Sequence, residues 1–459
     1  MTAPTRLLFG TDGIRAVAGQ YPLDPATIYA VGLALGHSLR REAKQSAAPV
    51  TPKIILGRDT RESGPWIAAT LAAGLGEAGV LVESAGVVTT PAVAFLARTH
   101  GFQAGVVISA SHNPWQDNGI KLFGADGFKL PDAVELAMEE DILHHAANSI
   151  APDPASLAPL ADRHAFQADY IQFLIDCVPG LKLNGLRIVA DCAHGAAAAT
   201  APELFRRLGG QVTLLNVAPD GRNINLNCGA LHPALVAAET AARGADLGLT
   251  FDGDADRCLL AGARENVLNG DAILLIAARD LKARGLLTGD LVVATTMSNM
   301  GLEAALKRSG IRMFRAPVGD RYVLEEMQKQ DAALGGEQSG HILLPHLATT
   351  GDGLLTALVV LDMIARTGKS LDELTADLKV FPQIIVNVKV REKKPFASIS
   401  AVASAICAAE EELKDSGRVV VRYSGTEPLA RVMIEAESEE TMRRHANAIA
   451  DAIRNELGE

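Results

Sequence analysis

Three aspartates at alternate positions, in the segment LTFDGDADRC, carry the strongest chemical signal in the sequence. Asp252, Asp254 and Asp256 directly follow an apolar run, and the spacers between them are glycine and alanine. Three carboxylates this close repel one another unless a cation lies between them, and Mg²⁺ takes oxygen ligands at about 2.1 Å. We therefore predict a Mg²⁺ site here and a phosphate contact from the adjacent Arg257, with a solvated acidic turn as the alternative.

A second segment presents a hydroxyl beside an imidazole. The apolar run Val106–Ile108 leads into SASHNP, which contains Ser111 and His112, and Lys121 follows shortly after. A serine at an exposed strand end becomes a nucleophile or a phosphate carrier when proton-handling groups lie beside it. His112 and Lys121 are suited to charge stabilisation or proton transfer, although a polar turn without chemistry is an alternative.

A third segment, LGGEQSGHILL, combines glycines with hydrogen-bonding side chains. Glu337 and Ser339 are suited to holding neighbouring sugar hydroxyls, and His341 could titrate near neutral pH. A glycine-rich turn without a ligand is the alternative interpretation.

A fourth segment, VRYSGTEPLARV, has the composition of an anion-binding turn. Backbone N–H groups around Ser424, Gly425 and Thr426 could form a nest for an anion. Arg422 and Arg431 flank the turn and could clamp a phosphate in bidentate fashion. An ordinary turn between two antiparallel strands is the alternative.

Buried strands are expected to position the first of these loops. The spans 53–86, 186–216 and 290–316 each show an apolar strand, a helix and a second apolar strand, which indicates a βαβ unit with parallel strands. Ligands of such sheets bind beside the carboxyl ends of the strands. Arg58 and Arg61, in the loop after the first of these strands, are expected to form structural ion pairs rather than to bind substrate.

The C-terminal part has a different pattern. Residues 381–392 alternate between apolar and polar, residues 417–438 indicate two strands around a loop, and an amphipathic helix follows. We therefore expect α/β domains at 1–160, 161–265 and 266–380, and an α+β domain at 381–459. These domains would carry the serine, metal, sugar and phosphate loops, in that order.

The composition restricts the partners and the compartment. A net charge of −11 at pH 7 argues against nucleic acid or an anionic membrane surface as a partner. Five cysteines without a CxxC pair are typical of a reducing cytoplasm. The first residues lack the apolar run of a secretory signal, and no stretch is long and apolar enough for a membrane span. We therefore expect a cytoplasmic protein without a membrane partner.

The motifs SASHNP, DGDADR, GEQSGH and RYSGTEP, in this order, resemble those of the α-D-phosphohexomutase superfamily over essentially the whole chain. The resemblance implies three related α/β domains with mixed sheets and a TBP-like α+β C-terminal domain around a central cleft. FGTDGIR, GRDTRESG and NGIK are most similar to bacterial members that act on glucosamine phosphates, with mannose or glucose phosphates as the alternative substrates. Ala255 stands where the family often has glycine, and we expect its methyl group to be tolerated.

The family's chemistry gives each motif a role. The resemblance implies phosphorylation at Ser111, whose oxygen would join the three aspartates around Mg²⁺. The enzyme would isomerise glucosamine 6-phosphate to the 1-phosphate for UDP-N-acetylglucosamine synthesis, with glucosamine 1,6-bisphosphate as intermediate and activator. Lys121 is the expected general base, and Arg15 and His341 are further proton-handling or charge-stabilising groups. The expected substrate-binding residues are His112, Arg257, Glu337, Ser339, Arg422, Ser424, Gly425, Thr426 and Arg431.

Two other classes of function stay open at this stage. One is a hydrolase in which an aspartate of DGDADR is the nucleophile, and the other is a non-catalytic sensor of phosphosugars. Phosphate on Ser111 distinguishes a mutase from both. The sequence does not determine the oligomeric state, and a homodimer is one assembly that is compatible with it.

Overall fold

The computed structural model describes residues 8–10, 12–45, 50–424 and 429–458. The chain divides into two compact units, one formed by residues 1–296 and 315–374 and the other by residues 297–314 and 375–459. Within the described residues, no helix is long and apolar enough to cross a membrane.

The first sheet of the larger unit has five strands in the order β1-β5-β4-β2-β3. Strand β2 is parallel to β3 and β4, whereas β5 is antiparallel to β4 and β1. Every residue of β4 is buried, as its continuous apolar run predicts. The elements are β1 (Ile14–Val17), α1 (Pro25–Gln45), β2 (Lys53–Arg58), α2 (Gly64–Glu77), β3 (Leu81–Val87), α3 (Thr90–Thr99), β4 (Ala104–Ile108), β5 (Asp117–Gly124) and α4 (Asp132–Asn148).

The second sheet repeats this plan, with the order β10-β9-β8-β6-β7. Strand β6 is parallel to β7 and β8, and β9 is antiparallel to β8 and β10. The parallel pairs predicted at 53–86 and 186–216 are therefore confirmed. The elements are α5 (Ala165–Asp176), β6 (Arg187–Asp191), α6 (Ala197–Arg207), β7 (Gln211–Leu215), α7 (Pro233–Ala242), β8 (Leu247–Phe251), β9 (Cys258–Gly262) and β10 (Val267–Leu268).

The next part of the chain again contains parallel and antiparallel pairs. Strand β11 is parallel to β13, which is antiparallel to β14. The span 290–316 contains the predicted strand, helix and strand, namely β11, α9 and β12. The elements are α8 (Gly270–Ala283), β11 (Leu291–Thr295), α9 (Met300–Arg308), β12 (Arg312–Ala316), α10 (Asp320–Gln330), β13 (Gly335–Gly336), β14 (Ile342–Leu343), α11 (Gly353–Thr367) and α12 (Leu371–Leu374).

The smaller unit contains a three-stranded antiparallel sheet in the order β15-β17-β16. Its last helix buries residues spaced three or four apart, including Met442, Ala446, Ile449 and Ile453, as an amphipathic helix must. Besides α9, its elements are β15 (Gln383–Lys389), α13 (Ser400–Leu413), β16 (Gly417–Tyr423), β17 (Leu429–Ala436) and α14 (Glu439–Leu457). Mixed α/β sheets followed by an α+β sheet confirm the predicted fold class.

Candidate active site

The hydroxyl of Ser111 lies in the larger unit, just beyond the carboxyl end of β4. Ser111 is 1% exposed, and its φ of 52° is in the left-handed region that non-glycine residues rarely adopt. The hydroxyl donates a hydrogen bond of 2.5 Å to Oδ2 of Asp252, which is 141 residues away in the sequence. The structure thus brings together the serine and the acidic loop that the sequence singles out.

The acidic loop connects β8 to β9, and its three aspartates are buried. One carboxylate oxygen from each of Asp252, Asp254 and Asp256 lies within 4.8 Å of the other two. Oδ1 of Asp254 and Oδ1 of Asp256 accept no hydrogen bond from the described residues. Buried acceptors are seldom left in this state. A cluster of hard oxygen donors with spare lone pairs fits a divalent cation such as Mg²⁺.

Lys121, on β5, supplies a buried positive charge beside this cluster. Its ammonium lies 2.8 Å from Oδ2 of Asp254, 3.0 Å from Oδ2 of Asp12 and 3.6 Å from Oδ2 of Asp256. Burial opposes the charge, but the three carboxylates outweigh it and raise the pKa of Lys121. An ammonium in this place stabilises negative charge. Its predicted role as a general base is not tested by this geometry and stays a prediction.

Asp12, Lys129 and Asp320 are site residues that the sequence interpretation missed. The Lys129 ammonium forms an ion pair with Asp12 and lies 2.5 Å from Oδ2 of Asp320. Asp12 also pairs with Arg15, the residue that the sequence did single out. Asp12 belongs to the FGTDGIR motif, three residues before Arg15, and this spacing could have predicted their ion pair. Lys129 and Asp320 stand outside the four loops, and no spacing pattern marks them.

His341 connects this group of charges back to the acidic loop. Its Nδ1 lies 3.6 Å from Oδ1 of Asp256 and its Nε2 lies 3.5 Å from Oδ2 of Asp320. Burial opposes protonation, but Asp256 and Asp320 raise the pKa of His341 to about 9. Together with Lys121, Asp12 and Lys129, these groups form a closed ring in which positive and negative charges alternate.

His112 and Arg257 lie against the serine and the acidic loop. Nδ1 of His112 is 3.4 Å from the Ser111 hydroxyl oxygen. Burial, with the nearby Arg257 and Arg15 guanidinium groups, lowers the pKa of His112 to about 4. The backbone N–H of Arg257 donates to Oδ1 of Asp252 at 3.2 Å, and its Nε lies 3.8 Å from Oδ1 of Asp256. His112 therefore lies beside the Ser111 hydroxyl, and Arg257 lies beside the carboxylate that accepts its hydrogen bond.

Glu337 and Ser339 contact each other in the predicted sugar-binding loop. The Ser339 hydroxyl donates to Oε2 of Glu337 at 3.1 Å, and the backbone N–H of Gly319 donates to Oε1 at 3.0 Å. Gly319 immediately precedes Asp320, so this loop is tied to the start of α10. The pairing keeps the carboxylate of Glu337 in a fixed position, which suits recognition of hydroxyl groups.

The predicted phosphate-binding residues belong to the smaller unit. Arg422 on β16 and Arg431 on β17 are direct cross-strand partners. The backbone N–H of Ser424 donates to the carbonyl oxygen of Leu429 at 2.8 Å. Gly425 and Thr426 lie outside the described residues. The anion-binding role predicted for Arg422 and Arg431 stays a prediction.

Comparisons with known proteins agree along the whole chain. Four family models match, described as phosphoglucomutase/phosphomannomutase alpha/beta/alpha domains I, II and III and C-terminal domain, over residues 6–149, 168–265, 269–381 and 385–452. Phosphoglucosamine mutase of Koribacter versatilis is 58% identical, with 100% of this chain and 99% of that protein covered. Phosphoglucosamine mutase of Solibacter usitatus is 52% identical, with 98% of this chain and 99% of that protein covered.

Solved structures support the same fold. A phosphoglucomutase/phosphomannomutase family protein from Burkholderia thailandensis has a TM-score of 0.76 at 22% identity, covering 97% of each chain. N-acetylphosphoglucosamine mutase of Aspergillus fumigatus has a TM-score of 0.65 at 18% identity, covering 98% of this chain and 95% of that one. At these identities the likeness concerns the fold.

Proposed function

This chain belongs to the α-D-phosphohexomutase superfamily, and on that premise we propose that it interconverts glucosamine 6-phosphate and glucosamine 1-phosphate. The substrate assignment rests on full-length relatives, named phosphoglucosamine mutase, at 58% and 52% identity. The structural observation that carries the mechanism is the 2.5 Å contact between the Ser111 hydroxyl and Asp252.

The reaction transfers a phosphoryl group from phosphorylated Ser111 to the free C1 hydroxyl of the bound 6-phosphate. The bond between phosphorus and the serine oxygen breaks, a bond to the C1 oxygen forms, and the proton of the C1 hydroxyl is transferred by the general base to the serine oxygen. The product of this half-reaction is glucosamine 1,6-bisphosphate. After it turns around, its 6-phosphate returns to Ser111, and glucosamine 1-phosphate is released as a precursor for UDP-N-acetylglucosamine.

The residues around Ser111 suit this chemistry, in which positioning and charge stabilisation dominate. Mg²⁺ held by Asp252, Asp254 and Asp256 would supply positive charge to the transferring group. Lys121 adds a buried ammonium beside Oδ2 of Asp254 and Oδ2 of Asp256.

The remaining assignments concern substrate and compartment. We propose that Arg257 and His112 contact the phosphate and that Glu337 and Ser339 hold sugar hydroxyls, while the phosphate-binding role of Arg422 and Arg431 stays a prediction. All five cysteines are free thiols, which supports a reducing compartment, and we assign the enzyme to the cytoplasm. The homodimer stays a prediction.

A comparison of substrates tests the assignment directly. Purified enzyme is given Mg²⁺, a trace of hexose 1,6-bisphosphate and, separately, the 6-phosphates of glucosamine, glucose and mannose. The highest kcat/KM is expected for glucosamine 6-phosphate. A strong preference for mannose 6-phosphate would contradict the substrate assignment, and release of inorganic phosphate without isomerisation would contradict the mutase mechanism.

A further inference from the structure

A buried ion pair lies directly beneath the serine loop, outside the cluster of acidic and basic groups described above. Asp59 and Arg61, in the loop between β2 and α2, are both 0% exposed at their side chains, with Nε of Arg61 2.8 Å from Oδ2 of Asp59. The expected structural ion pairs of this segment are thus confirmed, and Arg58 pairs with Asp162 at 3.0 Å. Buried ion pairs seldom increase stability over an apolar replacement, so the Asp59–Arg61 pair calls for another explanation.

The Arg61 guanidinium holds the carbonyl groups of the loop that carries Ser111. One terminal nitrogen donates to the carbonyl oxygens of Ser111 at 3.0 Å and Asn113 at 2.9 Å. The other donates to the carbonyl oxygens of Asp117 at 2.8 Å and Pro114. With the bond from Nε to Asp59, all five N–H donors of the guanidinium are used. The three rotatable donors of a lysine cannot reproduce this planar arrangement.

Asp59 holds the backbone N–H of Ser111 through the hydroxyl of Ser109. Its Oδ2 accepts a hydrogen bond of 2.7 Å from the Ser109 hydroxyl. The oxygen of that hydroxyl in turn accepts a 2.9 Å bond from the backbone N–H of Ser111. The carbonyl and the N–H of Ser111 are therefore both connected to one ion pair, the first directly and the second through Ser109.

This double attachment explains the backbone of Ser111. A left-handed backbone is unfavourable for a residue other than glycine and persists only where its surroundings fix it. With φ at 52°, the side chain of Ser111 points to Asp252. Asn225, near the second sheet, also donates to the Ser111 carbonyl oxygen at 2.9 Å. The backbone of Ser111 is thus held by Arg61 from the first sheet and by Asn225 from near the second sheet. These are the two sheets whose loops carry Ser111 and Asp252.

We propose that Arg61 is a positioning residue of the phosphoryl transfer, which sets the direction of the Ser111 hydroxyl through its backbone without touching the reacting atoms. The inference rests on the proposed function, because it assigns the ion pair to the same reaction. A displacement of about 1 Å in such a group costs about a hundredfold in rate. The effect should therefore fall on kcat, since neither Arg61 nor Asp59 is placed to contact the sugar phosphate.

The test compares Arg61→Lys with Arg58→Lys in the full-length enzyme. Both variants keep the positive charge, and both alter an ion pair of the same short segment. The partner of Arg58 is Asp162, which lies outside the serine loop. Arg61→Lys should lower kcat about a hundredfold, with KM changed less than about threefold. It should also broaden or shift the phosphorus NMR resonance of phosphorylated Ser111. Arg58→Lys should leave kcat and the resonance unchanged.

Ser109→Ala provides a second variant in case Arg61→Lys does not fold. It keeps the Asp59–Arg61 ion pair but removes the hydroxyl that links Asp59 to the Ser111 N–H, so the backbone of Ser111 loses one hydrogen bond and kcat should fall about tenfold. Unchanged kcat in Ser109→Ala, or in a folded Arg61→Lys, overturns the inference. Equal effects of Arg58→Lys and Arg61→Lys also overturn it. Failure of the proposed function is distinguishable, because the wild-type enzyme itself would then not isomerise the substrate.

Discussion

Ser111 donates its hydroxyl hydrogen bond to Asp252 across two sheets of the larger unit, at a distance of 2.5 Å. If this serine carries the phosphate, Ser111→Ala should lower mutase activity roughly a thousandfold or more, as removal of a nucleophile commonly does. The wild-type protein should contain a fraction heavier by one phosphate, and peptide mapping should place it on Ser111. Ser156→Ala, at an exposed turn, should retain activity. Phosphate release that persists in Ser111→Ala would favour a hydrolase.

Gly253 keeps the acidic loop in contact with the serine loop. A Cβ atom at this position would lie 2.4 Å from the carbonyl oxygen of Ser111 and 2.9 Å from Nδ2 of Asn225. Gly253→Ala must therefore push the two loops apart, and we expect kcat to fall about a hundredfold. Steady-state kinetics measures the loss.

A control for this substitution exists on α2. A Cβ atom at Gly76 would meet nothing within 4 Å, so Gly76→Ala should keep full activity and add up to about 1 kcal/mol of stability.

Ala255, in the same loop as Gly253, is already buried with its methyl group, at φ 56°. Full activity in Gly253→Ala would show that the Ser111–Asp252 contact is not needed.

The acidic loop should also respond to Mg²⁺ in the absence of substrate. Binding to the folded protein at about 100 times Kd adds about 2.7 kcal/mol to the free energy of unfolding. Asp252→Asn should lose most of this gain. In EDTA it should be at least as stable as the wild type, because burial and the neighbouring carboxylates raise the pKa of Asp252 and disfavour its charged form.

Thermal unfolding with and without Mg²⁺ measures these effects. Asp153→Asn, at an exposed turn, should keep the full stabilisation by Mg²⁺. An Asp252→Asn protein that gains as much stability as the wild type would place the cation elsewhere.

Sequence patterns were sufficient for the parts of the fold and site that depend on contiguous residues. The apolar run before Ser111 and the alternating aspartates mark strand ends, and the carboxyl ends of neighbouring strands are where side chains from distant segments meet. That Arg61 forms an ion pair was also predictable from GRDTR. What its guanidinium holds was not, because its carbonyl acceptors lie 50 or more residues away.

The groups that the sequence could not reveal are those brought together by tertiary contacts alone. Lys129 and Asp320 are 191 residues apart, and neither belongs to a motif whose spacing indicates chemistry. The strands β13 and β14 have two residues each, which is too short for any alternation to show. Isolated charges and very short strands carry no periodic signal.

The Lys129–Asp320 pair should be needed for stability. The two side chains are 12% and 15% exposed, and the carboxylates of Asp12 and Asp320 outweigh burial and raise the pKa of Lys129. Lys129→Met leaves a nearly buried carboxylate without its closest cation, so we expect a loss of about 3 kcal/mol. Urea unfolding measures the change.

A double variant separates charge from packing at this pair. Lys129→Met with Asp320→Asn removes the uncompensated charge and should regain at least half of the loss. If the double variant is as unstable as the sum of the two single variants, the ion pair is not the cause.

Asp352, the N-cap of α11, should give the protein a pH-dependent stability below neutral pH. Burial raises the pKa of Asp352 from 3.8 to about 6, although hydrogen bonds from the Leu355 N–H and the Tyr170 hydroxyl favour the charged form. The folded state therefore binds more protons than the unfolded state between about pH 4 and pH 6. The contribution of Asp352 to the free energy of unfolding must fall as the pH rises through this window, by about 3 kcal/mol in total.

Two variants test the sign of this effect. Asp352→Asn keeps a capping oxygen and cannot titrate, so its stability relative to the wild type should rise between pH 4 and pH 6 and then stay constant. Tyr170→Phe removes a donor to the charged carboxylate, which raises the pKa of Asp352 further and extends the fall in stability to higher pH. Urea unfolding at each pH gives both curves. A difference between Asp352→Asn and the wild type that is independent of pH would mean that the pKa of Asp352 is the same in the folded and unfolded states, because its hydrogen bonds would then offset burial.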